Sequence, residues 1–227
     1  MLTGSGLWAN WEERQDMKHF KANLLAVLIV LGACASYPAA EFRSQSNGIV
    51  VAGLIDDTTF DGLKQALGTA PDRSTLVLQY VPGSVDDESC LIQLSSYIRL
   101  KGLTTRVPSD GLVASGGTDM AVMGARRIIE AGACIGVHTW AAGSLLGLEV
   151  GSDLPRNDPA HDLYLAFYRD MAITEDFYWF TLAAAGPDDV HWMSPDEINR
   201  FGLSSVPVLI TPNETANQRS LRCEKRI

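Results

Sequence analysis

Apolar and polar positions along this chain fall into blocks whose period switches between about two and about 3.6 residues, predicting strands and helices in turn. Gly48 to Ile55 reads as a strand, followed by Asp56 to Phe60, where Asp or Thr can cap a helix carrying Phe60, Leu63 and Leu67. Ser74 to Val81 is a near-continuous apolar run of the kind buried on both faces of a parallel sheet. A helix over Ser89 to Lys101 aligns Leu91, Leu94 and Ile98, and Thr104 to Val107 is a third strand. A further helix begins at the serine loop and ends near Gly124, before short strands over Arg127–Glu130 and Ala133–Val137. Thr139 to Asp158 is rich in Gly, Ser and Pro and reads as an exposed loop or lid; a long aromatic helix over Asp162 to Ala185 follows. His191 to Leu203 carries Ser194, Pro195, Glu197 and Gly202 at the positions of an N-cap, a first turn, a capping-box partner and a helix exit. Strands alternating with helices predict an α/β architecture.

Composition narrows the function classes. The chain has 227 residues, 46% hydrophobic and 20% charged, enough for one domain with a sizeable core. A net charge of −9 argues against a nucleic-acid partner, which needs clustered Lys and Arg. The basic run Arg219 to Arg226 reads as a short solvated tail.

The N-terminal segment adds a compartment. Lys18 to Lys21 precedes an apolar run from Ala22 to Leu31, closing on Leu31-Gly-Ala-Cys34. This is the order of a secretory signal, too short for a comfortable membrane span, although an uncleaved anchor is the alternative. The closing tetrapeptide resembles the lipobox of bacterial lipoproteins, which implies lipidation of Cys34. Residues 1–16 carry Trp8, Trp11 and the pair Glu12-Glu13 and do not fit such a signal, so an extension over 1–16 with a start at Met17 is expected. The expected organisation is then 17–33 as signal, 34–47 as linker, 48–206 as the folded domain and 207–227 as tail. The rest of the chain is expected to be exported and membrane-attached, in a bacterial periplasm or cell envelope. There, Cys90, Cys134 and Cys223 form at most one disulfide, and Cys134 reads as a small buried hydrophobe. No metal-ligand spacing is present, and no cofactor is expected.

The chemistry concentrates in Gly111-Leu-Val-Ala-Ser-Gly-Gly117 and, 23 residues after its serine, Gly136-Val-His138. A serine hydroxyl is a weak nucleophile until a base takes its proton, so Ser115 and His138 form a nucleophile and base pair. The small residues after Ser115 leave backbone N–H groups available to an oxyanion. Pro82-Gly83 ends the buried strand at the carboxyl edge of the sheet, where α/β folds place ligands.

In this order the segments resemble the proteolytic subunit of the Clp protease and its relatives in the crotonase-like superfamily. The resemblance rests on Gly53-Leu-Ile-Asp-Asp57, Val81-Pro-Gly-Ser-Val85, Ala114-Ser115, Ile135-Gly-Val-His138 and Trp192 to Leu203, and covers about residues 48–206. The serine segment is also similar to that of signal peptide peptidase A. The resemblance implies a single domain built as a repeated ββα superhelix, with Ser115 as nucleophile, His138 as base, and the N–H groups of Gly83 and Gly116 as oxyanion hole. It also implies assembly into a homo-oligomer. Ser84 stands where the family has a second glycine. The family's acid falls at Gly186, so Asp188, or next Asp189, is the candidate third member.

Three functions follow. The first is a membrane-tethered, ATP-independent serine peptidase acting on unfolded or short peptides. The second is a non-catalytic lipoprotein of the same fold that binds peptides or partner subunits. The third is acyl-CoA hydratase or isomerase chemistry, disfavoured because it needs a positioned carboxylate near the glycine loops and a cytosolic cofactor; Asp86 to Glu88 lie near the Gly83 loop but on a helix start.

Overall fold

Thr75–Val81, the most apolar run of the chain, is the central strand β3, and the sheet forks along it. Its first half pairs in parallel with β4 (Thr104–Val107), from Thr75 opposite Thr104 to Val77 opposite Arg106. Its second half pairs in parallel with β5 (Leu112–Ala114), Tyr80 opposite Leu112 and Val81 opposite Val113. One branch continues from β4 to β6 (Arg126–Ile129), the other from β5 to β7 (Cys134–Val137) and the antiparallel β10 (His191–Trp192). On the other side lie β2 (Gly48–Ala52), parallel to β3, and β1 (Glu41–Gln45), antiparallel to β2. The computed structural model describes residues 38–85, 89–144, 147–210 and 214–227. The expected extension over 1–16, the signal over 17–33, Cys34 and the acidic trio Asp86 to Glu88 lie outside the described residues.

A strand without polar alternation must be covered on both faces. Helices α1 (Thr59–Thr69), α2 (Ser95–Leu100) and α3 (Gly116–Val122) supply the cover, burying Leu63, Ile98 and Met120 with Leu76 and Leu78 of β3. Strand pairs followed by a helix recur as β1–β2–α1 and β4–β5–α3, the ββα repeat expected of an α/β domain of this type.

Several boundaries differ from the sequence reading. The linker expected over 34–47 contains β1, whose pattern is mostly exposed because it is the edge strand of the sheet. The helix expected over Ser89–Lys101 opens with a π-helical turn, Ser89–Leu94, before α2. The loop expected over Thr139–Asp158 contains the hairpin of β8 (Ala141–Ser144) and β9 (Gly147–Val150). The single long helix expected over Asp162–Ala185 is two, α4 (Asp162–Asp170) and α5 (Glu175–Ala184), because Ala172 turns the chain at a φ of 55°. Left-handed backbone at a residue with a Cβ ends a helix. At α6 (Pro195–Arg200) the capping box of Ser194 and Glu197 is present as read.

The C-terminal tail is the largest correction. Residues 216–224 form α7 (Ala216–Glu224), capped by Thr215 and Gln218, and Cys223 makes a disulfide with Cys134 across 89 residues of sequence. Cys134 is therefore a covalent tether as well as a buried residue; Cys90 is buried and makes no disulfide among the described residues. Nor is the basic run solvated: Arg219 is buried, Arg222 grips Glu214 at 2.7 Å and donates to the Gly132 carbonyl at 2.6 Å, and Arg226 donates to the same carbonyl at 3.1 Å. Arg222 and Arg226 thus both satisfy the Gly132 carbonyl just before β7, and Arg219 donates to the Trp192 carbonyl at 3.4 Å. No helix among the described residues is long and apolar enough to cross a membrane.

Candidate active site

Ser115 stands where β5 turns into α3, with φ 52° and ψ −129°, a backbone conformation uncommon for a residue with a side chain. The surroundings enforce it. The Ser115 N–H donates to the Gly136 carbonyl at 3.1 Å, and the Ser115 carbonyl accepts from the N–H of Thr118 at 2.8 Å. Thr118 also donates its hydroxyl to the Gly136 carbonyl at 2.8 Å, so the strand that ends at His138 is tied twice to the serine turn. Such strain, held by its neighbours, is characteristic of a functional turn.

The glycines around the serine are there for space. A Cβ on Gly117 would lie 1.8 Å from the carbonyl oxygen of Val81, a backbone atom that cannot move aside. Gly117→Ala should therefore lose about 3 kcal/mol of stability, read as a lowered urea midpoint; an unchanged midpoint would contradict this packing. A Cβ on Gly116 would meet the side chain of Ser84, at 2.5 Å from its Cβ. The serine that replaces the resembled family's second glycine is thus accommodated by the absence of a side chain at Gly116. Gly83 lies beside the nucleophile: a Cβ placed on it would sit 3.7 Å from the Ser115 Cβ.

Ser115 and His138 line one cleft, with Gly116, Asp119, Trp140, Tyr164, Tyr168 and Tyr178 among its other walls. His138 is half-buried just past the end of β7, and its Nδ1 lies 2.7 Å from the Thr139 carbonyl oxygen. A carbonyl can only accept, so in the neutral ring Nδ1 carries the proton and Nε2 keeps the lone pair that a base needs. The structure does not bring Asp188 to this histidine. Asp188 and Asp189 are exposed on the turn after α5, and Asp189 accepts from the N–H of Val190 at 2.7 Å. Among the described residues the Nδ1 side of His138 is met by a backbone carbonyl, which needs no acid at a set sequence position.

Asp119 was not among the sequence candidates. It sits in the first turn of α3 and accepts from the hydroxyl of Tyr168 at 2.5 Å. Its signal was its spacing: four residues after Ser115, one helical turn on, it shares the face of α3 that the nucleophile opens. Behind it lies an aromatic wall. Tyr164 stacks on Trp140 and on Tyr178, and the Tyr178 hydroxyl accepts from the Trp140 indole at 2.9 Å and faces His161 Nδ1 at 2.7 Å.

Burial, then the charge of Asp119 and the hydrogen bond to it, raise the Tyr168 hydroxyl well above its ordinary value of 10.0. Burial pushes Tyr178 up to about 12; the Trp140 hydrogen bond works against this and the charge of Asp119 adds to it. Both values lie above the unfolded one, so the stability they contribute is fully present below pH 10.0 and is lost as pH rises towards about 12. Ultraviolet alkaline titration should show two tyrosines ionising late, together with unfolding; normal ionisation of every tyrosine in the folded protein would contradict the buried network.

No family model matches the sequence, and no curated protein matches it. Among solved structures, the chain is similar to the 1510-N membrane-bound stomatin-specific protease, with 16% identity over 70% of this chain and 79% of that one and a TM-score of 0.48. A second structure of that protease, holding a substrate peptide, matches with 17% identity over 75% of this chain and 79% of that one, at a TM-score of 0.47. A polyketide-biosynthesis enoyl-CoA hydratase from Bacillus subtilis matches with 16% identity over 85% of this chain and 79% of that one, at a TM-score of 0.45. At such identities no residue inherits a role from these proteins.

Proposed function

We propose that this chain is an ATP-independent serine hydrolase of the peptidase type, with Ser115 as nucleophile and His138 as general base. The observation that carries the reading is one cleft lined by both residues, the serine on a strained strand-to-helix turn and the histidine held through Nδ1 by the Thr139 carbonyl. His138 Nε2 takes the proton from Ser115 Oγ as the oxygen bonds to the substrate carbonyl carbon. The negative charge that develops on the carbonyl oxygen is met by the N–H groups of Gly83 and Gly116. Gly116 is the first residue of α3, so its N–H has no acceptor within the helix. The proton then passes from His138 to the leaving amine, and water, activated by the same imidazole, releases the acyl group from Ser115.

Asp188 is left out of this mechanism. A carbonyl orients the imidazole and fixes its tautomer, but it does not offset the imidazolium charge as a carboxylate does, so turnover below that of a full triad is expected.

The natural substrates in this reading are unfolded or short peptides, and the domain is exported, tethered to the membrane through lipid on Cys34 and assembled as a homo-oligomer. The Cys134–Cys223 disulfide supports an oxidising compartment. A labelled fluorophosphonate tests the chemistry directly: reaction at Ser115 is expected, and a folded protein that does not react overturns the reading in favour of a peptide-binding lipoprotein.

A further inference from the structure

The cleft beside Ser115 has a chemical sign. Among its described lining residues Asp119 is the one carboxylate, and none is Lys or Arg. The hydroxyl of Tyr168 satisfies one oxygen of that carboxylate without neutralising it, since Tyr168 is buried and keeps its proton. The rest of the wall is aromatic, with Trp140, Tyr164 and Tyr178 packed ring to ring at centroid separations of 5.8 and 5.4 Å. A carboxylate set against aromatic rings suits an organic cation: the charge pairs with the carboxylate while the rings contact its alkyl stem and attract its positive end.

The spacing suits a substrate side chain in particular. Asp119 lies one helical turn beyond Ser115, its N–H donating to the Ser115 carbonyl at 3.2 Å, and both residues line the same cleft. Lysine and arginine carry a positive charge on an apolar stem, the form in which a substrate side chain would meet a carboxylate walled by rings. The net charge of −9 over the chain draws cations towards the molecule before they enter the cleft.

We propose that this cleft selects a cationic side chain, lysine or arginine, at the residue that acylates Ser115, with Asp119 as the specificity-determining group. The proposal rests on the hydrolase reading for the word acylates, but the recognition itself is a binding property and is tested without turnover. In the full chain carrying Ser115→Ala, calorimetric titration would compare the N-acetyl methylamides of lysine, arginine and norleucine. Norleucine has the lysine stem without the charge. The lysine or arginine compound should bind roughly 10- to 100-fold more tightly than norleucine, and added salt should reduce the ratio. Asp119→Asn keeps an acceptor for Tyr168 and removes the charge, so it should bring the ratio to within about threefold.

Norleucine binding as well as the cations, or a ratio that survives Asp119→Asn, overturns the proposal; the first comparison needs no change at Asp119 and so does not depend on how that variant folds. Fluorophosphonate reactivity of the unmodified protein separates the two readings. Reactivity without cation preference removes this proposal alone, whereas cation preference without reactivity leaves the cleft as the recognition site of a binding protein.

Discussion

Fluorophosphonate should modify the full-length protein at Ser115 and at no site in Ser115→Ala, while His138→Ala should slow the reaction by about 10²- to 10⁴-fold, the usual contribution of a positioned base. Both variants should remain folded, because each removes a half-buried side chain at the cleft and leaves the hydrogen bonds from the Ser115 N–H and the Thr118 hydroxyl to the Gly136 carbonyl in place. Intact-mass measurement gives the extent of labelling, and circular dichroism confirms the fold. Labelling that persists unchanged in His138→Ala would remove the histidine from the mechanism. Asp188→Asn should react at the rate of the unsubstituted protein, since Asp188 is exposed outside the cleft; a drop of the size seen for His138→Ala would restore it as the acid of a triad.

Loss of the disulfide should have the largest effect on stability. Cys223→Ser should destabilise the protein by about 2–5 kcal/mol, the typical consequence of opening a native bridge. Two features place this one at the upper part of that range. The bridge closes 89 residues of sequence, and both cysteines are buried, at 1% and 0% exposure, in a small cluster with Leu112, Ala114 and Trp192. Reducing agent should lower the urea midpoint of the unsubstituted protein by a similar amount and leave that of Cys223→Ser unmoved. Free thiols on Cys134 and Cys223 in the native, air-exposed protein would contradict the bridge. The effect should reach the site, because Cys134 begins the strand that delivers His138 four residues later.

The neighbourhood of the serine was legible because its signals are local. The small residues around Ser115, the end of the buried strand at Pro82-Gly83 and the Ser194–Glu197 capping box each depend on positions only a few residues apart. What surrounds the serine was legible only in part. Asp119 meets Tyr168 across 49 residues, and Trp140 meets Tyr178 across 38. The resembled pattern points to Asp188 near the closing helix, whereas the carboxylate that lines the cleft is Asp119, one turn from the nucleophile. Read as one helix, Asp162–Ala185 would have carried its aromatics on a continuous rod. The turn at Ala172 instead folds α5 back against α4, so that Tyr164, Tyr168 and Tyr178 face one cleft.

By itself the sequence determined the α/β class, the buried central strand, the turn that presents Ser115 and the strand that ends at His138, because period, glycine placement and capping act over one or two turns of chain. Only the tertiary structure decided that the Thr139 carbonyl meets Nδ1 of the imidazole, that Asp119 gives the cleft its charge, and that the last helix is pinned to β7 through Cys134 and Cys223. Those contacts join residues whose sequence separation carries no periodic signal, or depend on which way a single carbonyl points, and burial in a common core is what brings them together.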